Sequence, residues 1–240
     1  MSTILVTGSS RGIGYAIAEL YAKNGWNVVI NRGHDREALK KDYQELSKLT
    51  EVLACFGDLS DSSFVNDMVA QAVDRFGSID LLVNNAAISK IGLLSDMSDA
   101  EWHELMGINL DGVFYCIRAV LPGMIHRKCG KILNISSAWG QVGASCEAAY
   151  SASKGAIDAL TKAMGKELAP SGISVNAVSF GVIDTSMNAC FNEEERQELA
   201  DEIPAGRFAT PEEAALFCKQ IADSPSYLTG QVIRFDGGWI

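Results

Sequence analysis

An α/β fold is predicted, with one doubly wound, seven-stranded parallel sheet, helices on both faces and a single domain over residues 1–240. Three observations predict it. Short β-branched runs alternate with longer segments of helical spacing along the whole 240-residue chain. The runs are almost wholly apolar rather than alternating, as strands covered on both faces must be. The first run opens directly into a glycine-rich turn and then an amphipathic stretch.

The strands are expected at 4–6, 27–31, 52–55, 81–83, 131–135, 174–178 and 231–235, and the helices at 13–24, 36–49, 63–76, 101–126, 149–168 and 211–222. Asp61 or Ser60 can cap the third helix and Gly77 ends it. Thr210 is placed to cap the last helix, with Pro211 at its first position. The stretch 192–202, NEEERQELADE, reads as a charged helix, either a solvated face or a lid. No linker, repeat or low-complexity tract divides the chain.

Composition narrows the function classes. Apolar residues make up 48% and charged residues 21%, as in soluble globular proteins, and the formal net charge is −10. That charge argues against nucleic acid and anionic membrane as partners. No apolar run approaches the roughly 18 residues of a membrane span, and no signal peptide is read at the N-terminus, so a cytoplasmic protein is expected. Six scattered cysteines without a C-x-x-C pair read as reduced core residues, with no metal site.

The stretch ILVTGSSRGIG (4–14) holds Gly8, Gly12 and Gly14 between a strand and a helix. Gly8 allows the turn, Gly12 lets the backbone approach a pyrophosphate, and Gly14 lets the helix pack close to the strand. The bare pattern also suits an ordinary strand–helix turn; its place on the first strand of a parallel sheet favours a dinucleotide. An acid at the end of the second strand would select NAD, but VVINRG places Arg32 there. Arg32 suits the 2′-phosphate of NADP(H), with Arg11 as a second positive charge, or it is a solvated strand-end residue.

Tyr150 and Lys154 lie four residues apart in a helical pattern and so share one face. A nearby ammonium would make the phenol a better acid. A half-buried Tyr beside a surface Lys has the same spacing. KILNISS ends a strand with Ser136 and Ser137, where a hydroxyl can point into a ligand crevice or merely end the strand. Asn109 sits inside a helical run, where an amide is unfavourable; it is a surface residue, or its groups hold water.

Together with GDL (57–59), NNAA (84–87), YSASK (150–154), VNAVSFGVIDT (175–185) and YLTGQVIRFDGG (227–238), these pieces occur in the order and spacing of the short-chain dehydrogenase/reductase superfamily. The chain resembles that superfamily over nearly its whole length, and within it the 3-oxoacyl-acyl-carrier-protein reductases. The resemblance implies a Rossmann-type fold and a ketone reductase. It gives Tyr150 the role of general acid, Lys154 that of holding the nicotinamide ribose and lowering the Tyr pKa, Ser137 that of polarising the carbonyl, and Asn109 that of positioning a relay water. It implies that Gly8, Ser10, Arg11, Gly12, Ile13, Gly14, Arg32, Asn85 and Ala86 contact the cofactor, with Asp58 and Leu59 at the adenine and Ile183 and Thr185 at the carboxamide. Asn84 would brace the sheet. A homotetramer is implied, with GGWI at the C-terminus suited to a subunit contact.

The chain also departs from the family pattern. Ala87 replaces the usual Gly of N-N-A-G, and Phe180 replaces the usual Pro before Gly181. Phe180, Trp139, Val142 and Met187 are expected to shape the substrate pocket. Of the two basic places by which such reductases dock an acidic carrier protein, HRKCGK (126–131) is basic, but Ser171 stands where an Arg is expected. The substrate is therefore a carrier-bound 3-oxoacyl group or another ketone: a hydroxysteroid, a small polyol or a ketone on a modified protein side chain. A non-catalytic nucleotide sensor need not keep Asn109, Ser137, Tyr150 and Lys154 together.

Overall fold

The computed structural model describes residues 1–186 and 192–240. Seven parallel strands form one sheet: β1 (Thr3–Val6), β2 (Asn27–Arg32), β3 (Val52–Phe56), β4 (Leu81–Asn84), β5 (Gly130–Ser137), β6 (Ile173–Phe180) and β7 (Val232–Phe235). Their order is β3-β2-β1-β4-β5-β6-β7, so the direction of winding reverses between β1 and β4. A crevice opens at such a reversal, outside the carboxyl ends of the strands.

The apolar runs bury both of their faces. Ile4, Val6, Val28 and Ile30 point to one side, where they meet α1 (Gly12–Lys23), α2 (Arg36–Leu46) and α9 (Pro211–Asp223). Leu5, Val29, Leu82 and Val175 point to the other, where they meet α3 (Ser62–Phe76), α5 (Gly112–Arg127) and α7 (Ala148–Leu168). Most polar side chains inside the sheet find partners, since an unpaired one costs about 1–3 kcal/mol, but Asn84 Oδ1 and Ser179 Oγ are buried without one. Asn84 donates to Asn134 Oδ1 at 2.9 Å, and Asn134 donates to Thr161 Oγ1 at 2.8 Å, tying β4, β5 and α7 together.

The expected helix at 101–126 is three segments in line. α4 (Asp99–Met106) runs through a π turn (Gly107–Asp111) into α5. By length and composition Asp99–Arg127 could cross a membrane, but Val113, Cys116, Ile117, Val120 and Met124 are buried in the protein, as in a core helix. The second helix stops at Leu46, short of the expected 49, because residues 47–50 fold into a turn that returns Thr50 N to Leu46 O. A five-residue helix, α6 (Ala138–Val142), follows β5 where none was expected; Ser137 caps it by accepting from Trp139 N. The expected caps Asp61, Gly77 and Thr210 all hold. The charged stretch is α8 (Glu193–Glu202), opened by a capping box from Asn192.

The cysteines divide. Cys55, Cys116 and Cys218 are buried thiols, but Cys129 is exposed and Cys146 half-exposed, which corrects the reading of them as core residues. Cys190 lies outside the described residues.

Candidate active site

Every strand from β1 to β6 contributes its carboxyl end to one cleft of about 1090 Å³. The register makes this possible: Val6 lies opposite Ile30 and Val83, Arg32 opposite Phe56, and Ser137 opposite Phe180. The strands therefore end at a common level, and the residues that follow them share one wall.

The glycine loop forms the floor. Gly8 and Gly12 adopt φ of +61° and +54°, which L side chains rarely adopt. A Cβ on Gly14 would fall 2.6 Å from Gly8 O, so helix and loop can meet only without it. Gly14 stands behind the wall; Gly8, Ser10, Arg11, Gly12 and Ile13 line it. The loop is pinned from two sides. Ser9 N donates to Asn31 O at 3.1 Å, and Asn85 Nδ2 donates to Thr7 O and Gly8 O at 3.0 Å each. The Asn85 amide is thus committed to bracing the loop.

At one end of the cleft lie Arg32, Asp58 and Leu59. Arg32 donates through Nε to His34 O, and its NH2 group sits 3.3 Å from the Asp35 carboxylate. Asp35 Oδ1 meanwhile caps α2 by accepting from Ala38 N at 3.0 Å. Ala86, Ile183 and Thr185 line the middle, with the Thr185 methyl 3.0 Å from where a Gly12 Cβ would lie. Ala87 also lines it and is not among the described non-glycine residues with positive φ, so its backbone accepts the methyl without strain.

At the other end Ser137, Tyr150 and Lys154 converge. Tyr150 and Lys154 share the buried face of α7, and Lys154 Nζ lies 5.6 Å from the Tyr150 ring. Lys154 is not the surface residue its spacing also allowed: it is 3% exposed and donates to Ile135 O at 2.7 Å. Burial lowers its pKa to about 8, opposed by the nearby Asp158 carboxylate. Burial pushes Tyr150 up to about 12, opposed by a hydrogen bond with the Ser137 hydroxyl and reinforced by the Glu147 charge. The expected lowering of the phenol by Lys154 is therefore corrected: in this site desolvation outweighs other influences, and the phenol holds its proton.

Asn109 is not a surface residue either. It is 1% exposed in the π turn, and its side chain is fully engaged. Ile88 N donates to its Oδ1 at 2.9 Å, while its Nδ2 donates to Ile88 O at 2.9 Å and Ser153 Oγ at 3.1 Å. The amide fastens the segment after β4 to α7.

The expected substrate residues separate. Trp139 and Phe180 line the cleft. Phe180 presents little surface, being 3% exposed with its ring edge-on to Phe235 at 5.7 Å. Val142 does not line the cleft: it ends α6 and is 57% exposed, because one turn of helix carries it away from the wall. Met187 lies outside the described residues. The stretch read as a solvated face or a lid lines the cleft, while sequence reasoning missed Trp239 along with Ile88, Ser89 and Glu147. Glu195, Glu198, Leu199 and Glu202 of α8 line the mouth, and so does Trp239, whose ring lies 4.7 Å from Trp139. The only forewarning of Trp239 was the apolar C-terminus.

A crevice at the reversal of a parallel sheet, floored by a glycine loop and walled by a half-buried Ser beside a buried Tyr and Lys, defines an oxidoreductase of the dinucleotide-binding fold. The chain belongs to the short-chain dehydrogenase family, whose pattern matches residues 2–196. It is 39% identical over 240 residues to an uncharacterised oxidoreductase, YmfI, of Bacillus subtilis, covering 99% of this chain and 98% of that protein. It is 38% identical over 236 residues to the 3-oxoacyl-[acyl-carrier-protein] reductase FabG of Staphylococcus aureus, covering 98% and 96%. A 3-oxoacyl-[acyl-carrier-protein] reductase FabG of Chlamydia muridarum is 39% identical over 237 residues, covering 98% and 95%. The family implies a nicotinamide dinucleotide, and the site fits one. The left-handed glycines expose loop backbone to the cleft at the start of α1, where a pyrophosphate is favoured.

Proposed function

We propose that this protein is an NADPH-dependent ketone reductase, most like a 3-oxoacyl-[acyl-carrier-protein] reductase. The observation that carries this reading is the convergence of Ser137, Tyr150 and Lys154 on one end of a cleft whose other end holds the glycine loop, Arg11 and Arg32. When bound, the nicotinamide supplies hydride to the carbonyl carbon. The chain's own residues do the rest. Ser137 donates to the carbonyl oxygen and polarises it. Tyr150 Oη gives its proton to that oxygen as negative charge develops there. Lys154, charged at neutral pH, steadies the phenolate left behind. Asn109 fixes the segment around Ile88, and its backbone positions the water that returns a proton through Lys154. Gly8, Ser10, Gly12, Ile13 and Gly14 hold or shape the pyrophosphate site, and Ile183 and Thr185 the carboxamide site. Arg32 and Arg11 meet the 2′-phosphate.

This assignment sets a pH dependence. Lys154 carries its charge below pH about 8 and loses it as pH rises through that value, whereas Tyr150 stays protonated up to about pH 12. The kcat/KM for reduction should therefore fall with a single limb near pH 8 and not near pH 10. A profile flat from pH 7 to 10 would remove Lys154 charge from the mechanism.

A second reading, reduction of a ketone not borne by a carrier protein, is favoured by the docking surface. Residues 126–131 and Ser171 do form one patch, since a Cβ on Gly172 would lie 2.6 Å from Lys128 O. But Arg127 donates to Ile79 O, and Lys131 to the carbonyls of Ala222 and Ser224. The patch also lies at the amino end of β5, a strand length of about 23 Å from Ser137. NADPH oxidation with carrier-bound and small-molecule acetoacetyl thioesters, beside steroid and simple ketones, separates the two. Fast turnover of the carrier-bound thioester alone supports the first reading; strong turnover of another ketone supports the second. We place the protein in the cytoplasm as a homotetramer; the exposed Phe114 and Ile125 on α5 support self-association.

A further inference from the structure

The chain does not leave the molecule after its last strand. Asp236 gathers the tail into a turn: Gly238 N donates to its Oδ1 at 3.0 Å and Ile240 N to its Oδ2 at 3.3 Å. Arg234 clamps the turn from outside. Its Nη1 donates to Ile240 O at 2.7 Å and its Nε to Gln141 Oε1 at 2.6 Å. Gln141 belongs to α6, the short helix that Ser137 caps. The tail is therefore fastened to the segment that carries the candidate carbonyl-polarising hydroxyl.

The consequence is an aromatic pair at the cleft. Trp239 lies on Trp139 with ring centroids 4.7 Å apart and planes inclined at 55°, and both line the cleft. Trp139 in turn packs against buried Leu105, Ala149 and Tyr150. Trp239 itself is only half-buried. Its remaining surface faces a cavity, where a rigid aromatic offers large contact area at little entropic cost. Held by four hydrogen bonds around Asp236 and Arg234, it is positioned before any ligand arrives.

We propose that Trp239 is a specificity-determining residue: with Trp139 it forms an aromatic wall of the substrate site and favours ketones bearing a bulky, flat apolar group beside the carbonyl over small ones. Arg234 and Asp236 are positioning residues for that wall. The inference rests on the reductase reading above, since it takes the substrate to be a ketone.

The test compares wild type, Trp239→Ala and Trp239→Phe on ethyl benzoylacetate and ethyl acetoacetate with NADPH. Trp239→Ala should raise KM for the aryl ketone by about tenfold or more and KM for the small one by less than about threefold. Trp239→Phe, which keeps an aromatic ring, should recover most of the loss. Arg234→Gln should shift the ratio of the two KM values in the same direction by a smaller factor. Equal changes for both ketones, or none, overturn the wall while leaving the reductase reading standing. If wild type reduces neither ketone, the reductase reading fails on that assay, and calorimetric titration with ethyl benzoylacetate, which needs no turnover, decides the wall. Weaker binding by Trp239→Ala supports it, and an unchanged Kd overturns it.

Discussion

Tyr150→Phe is expected to lower kcat for ketone reduction by about 10²- to 10⁴-fold, the range a general acid contributes, while leaving the Kd for NADPH within about twofold. The substitution removes one oxygen and little packing. The ring stays against Leu105, Ala149 and Trp139, and the Ser137 hydroxyl keeps Trp139 N as a partner. The melting midpoint should therefore hold. The loss falls on the chemical step, because the phenol, held up at about 12 by burial, is the protonated acid beside the Ser137 hydroxyl. NADPH oxidation under saturating ketone gives kcat, and a titration of NADPH without ketone gives Kd. A variant that retains near-wild-type kcat would sink the assignment of Tyr150 as the acid. One that loses NADPH binding as well would mean that the phenol serves the cofactor site and not the proton step.

The parts of this protein legible in the sequence are those decided within a few residues. Strands covered on both faces need an apolar run at their centre, and Ile4–Val6, Val28–Ile30 and Leu81–Val83 supply it; the glycine loop and the Tyr150–Lys154 spacing are local in the same sense. The π turn at Gly107–Asp111 was not legible, because one extra residue per turn barely disturbs a helical pattern over that length. Nor was α6, which one Ser137 cap and one turn of helix suffice to make. The direction of the Tyr150 pKa shift was misjudged for another reason. Sequence spacing gives the neighbour, but burial fixes the direction, and burial is a property of the whole fold. The substrate end was least legible. Its wall is assembled from α6, α8 and the residue before the C-terminus, which no pattern in the chain connects. Val142, adjacent in sequence to that wall, faces away from it.

Arg32→Asp is expected to lower the ratio of kcat/KM for NADPH to that for NADH by at least about 100-fold. Two changes act in the same direction. The substitution removes a charge-assisted contact to the 2′-phosphate, worth about 1.5–3 kcal/mol, and it sets a carboxylate where that phosphate would lie. It also supplies the acceptor that a ribose 2′-hydroxyl uses in NAD-dependent folds, so affinity for NADH should rise. The fold should tolerate the change. Arg32 ends β2, and its ion pair with Asp35, whose carboxylate is 55% exposed, contributes no more than about 1 kcal/mol. Asp35 keeps its second task, since capping α2 does not depend on Arg32. Arg11, which also lines the cleft, retains part of the positive field, so Arg11→Ala alone should move the ratio the same way by a smaller factor. Calorimetric Kd values for both cofactors separate binding from turnover. A ratio within twofold of wild type, with both Kd values unchanged, would mean that Arg32 is spent on His34 and Asp35 and that NADPH selection, if present, resides elsewhere in the cleft.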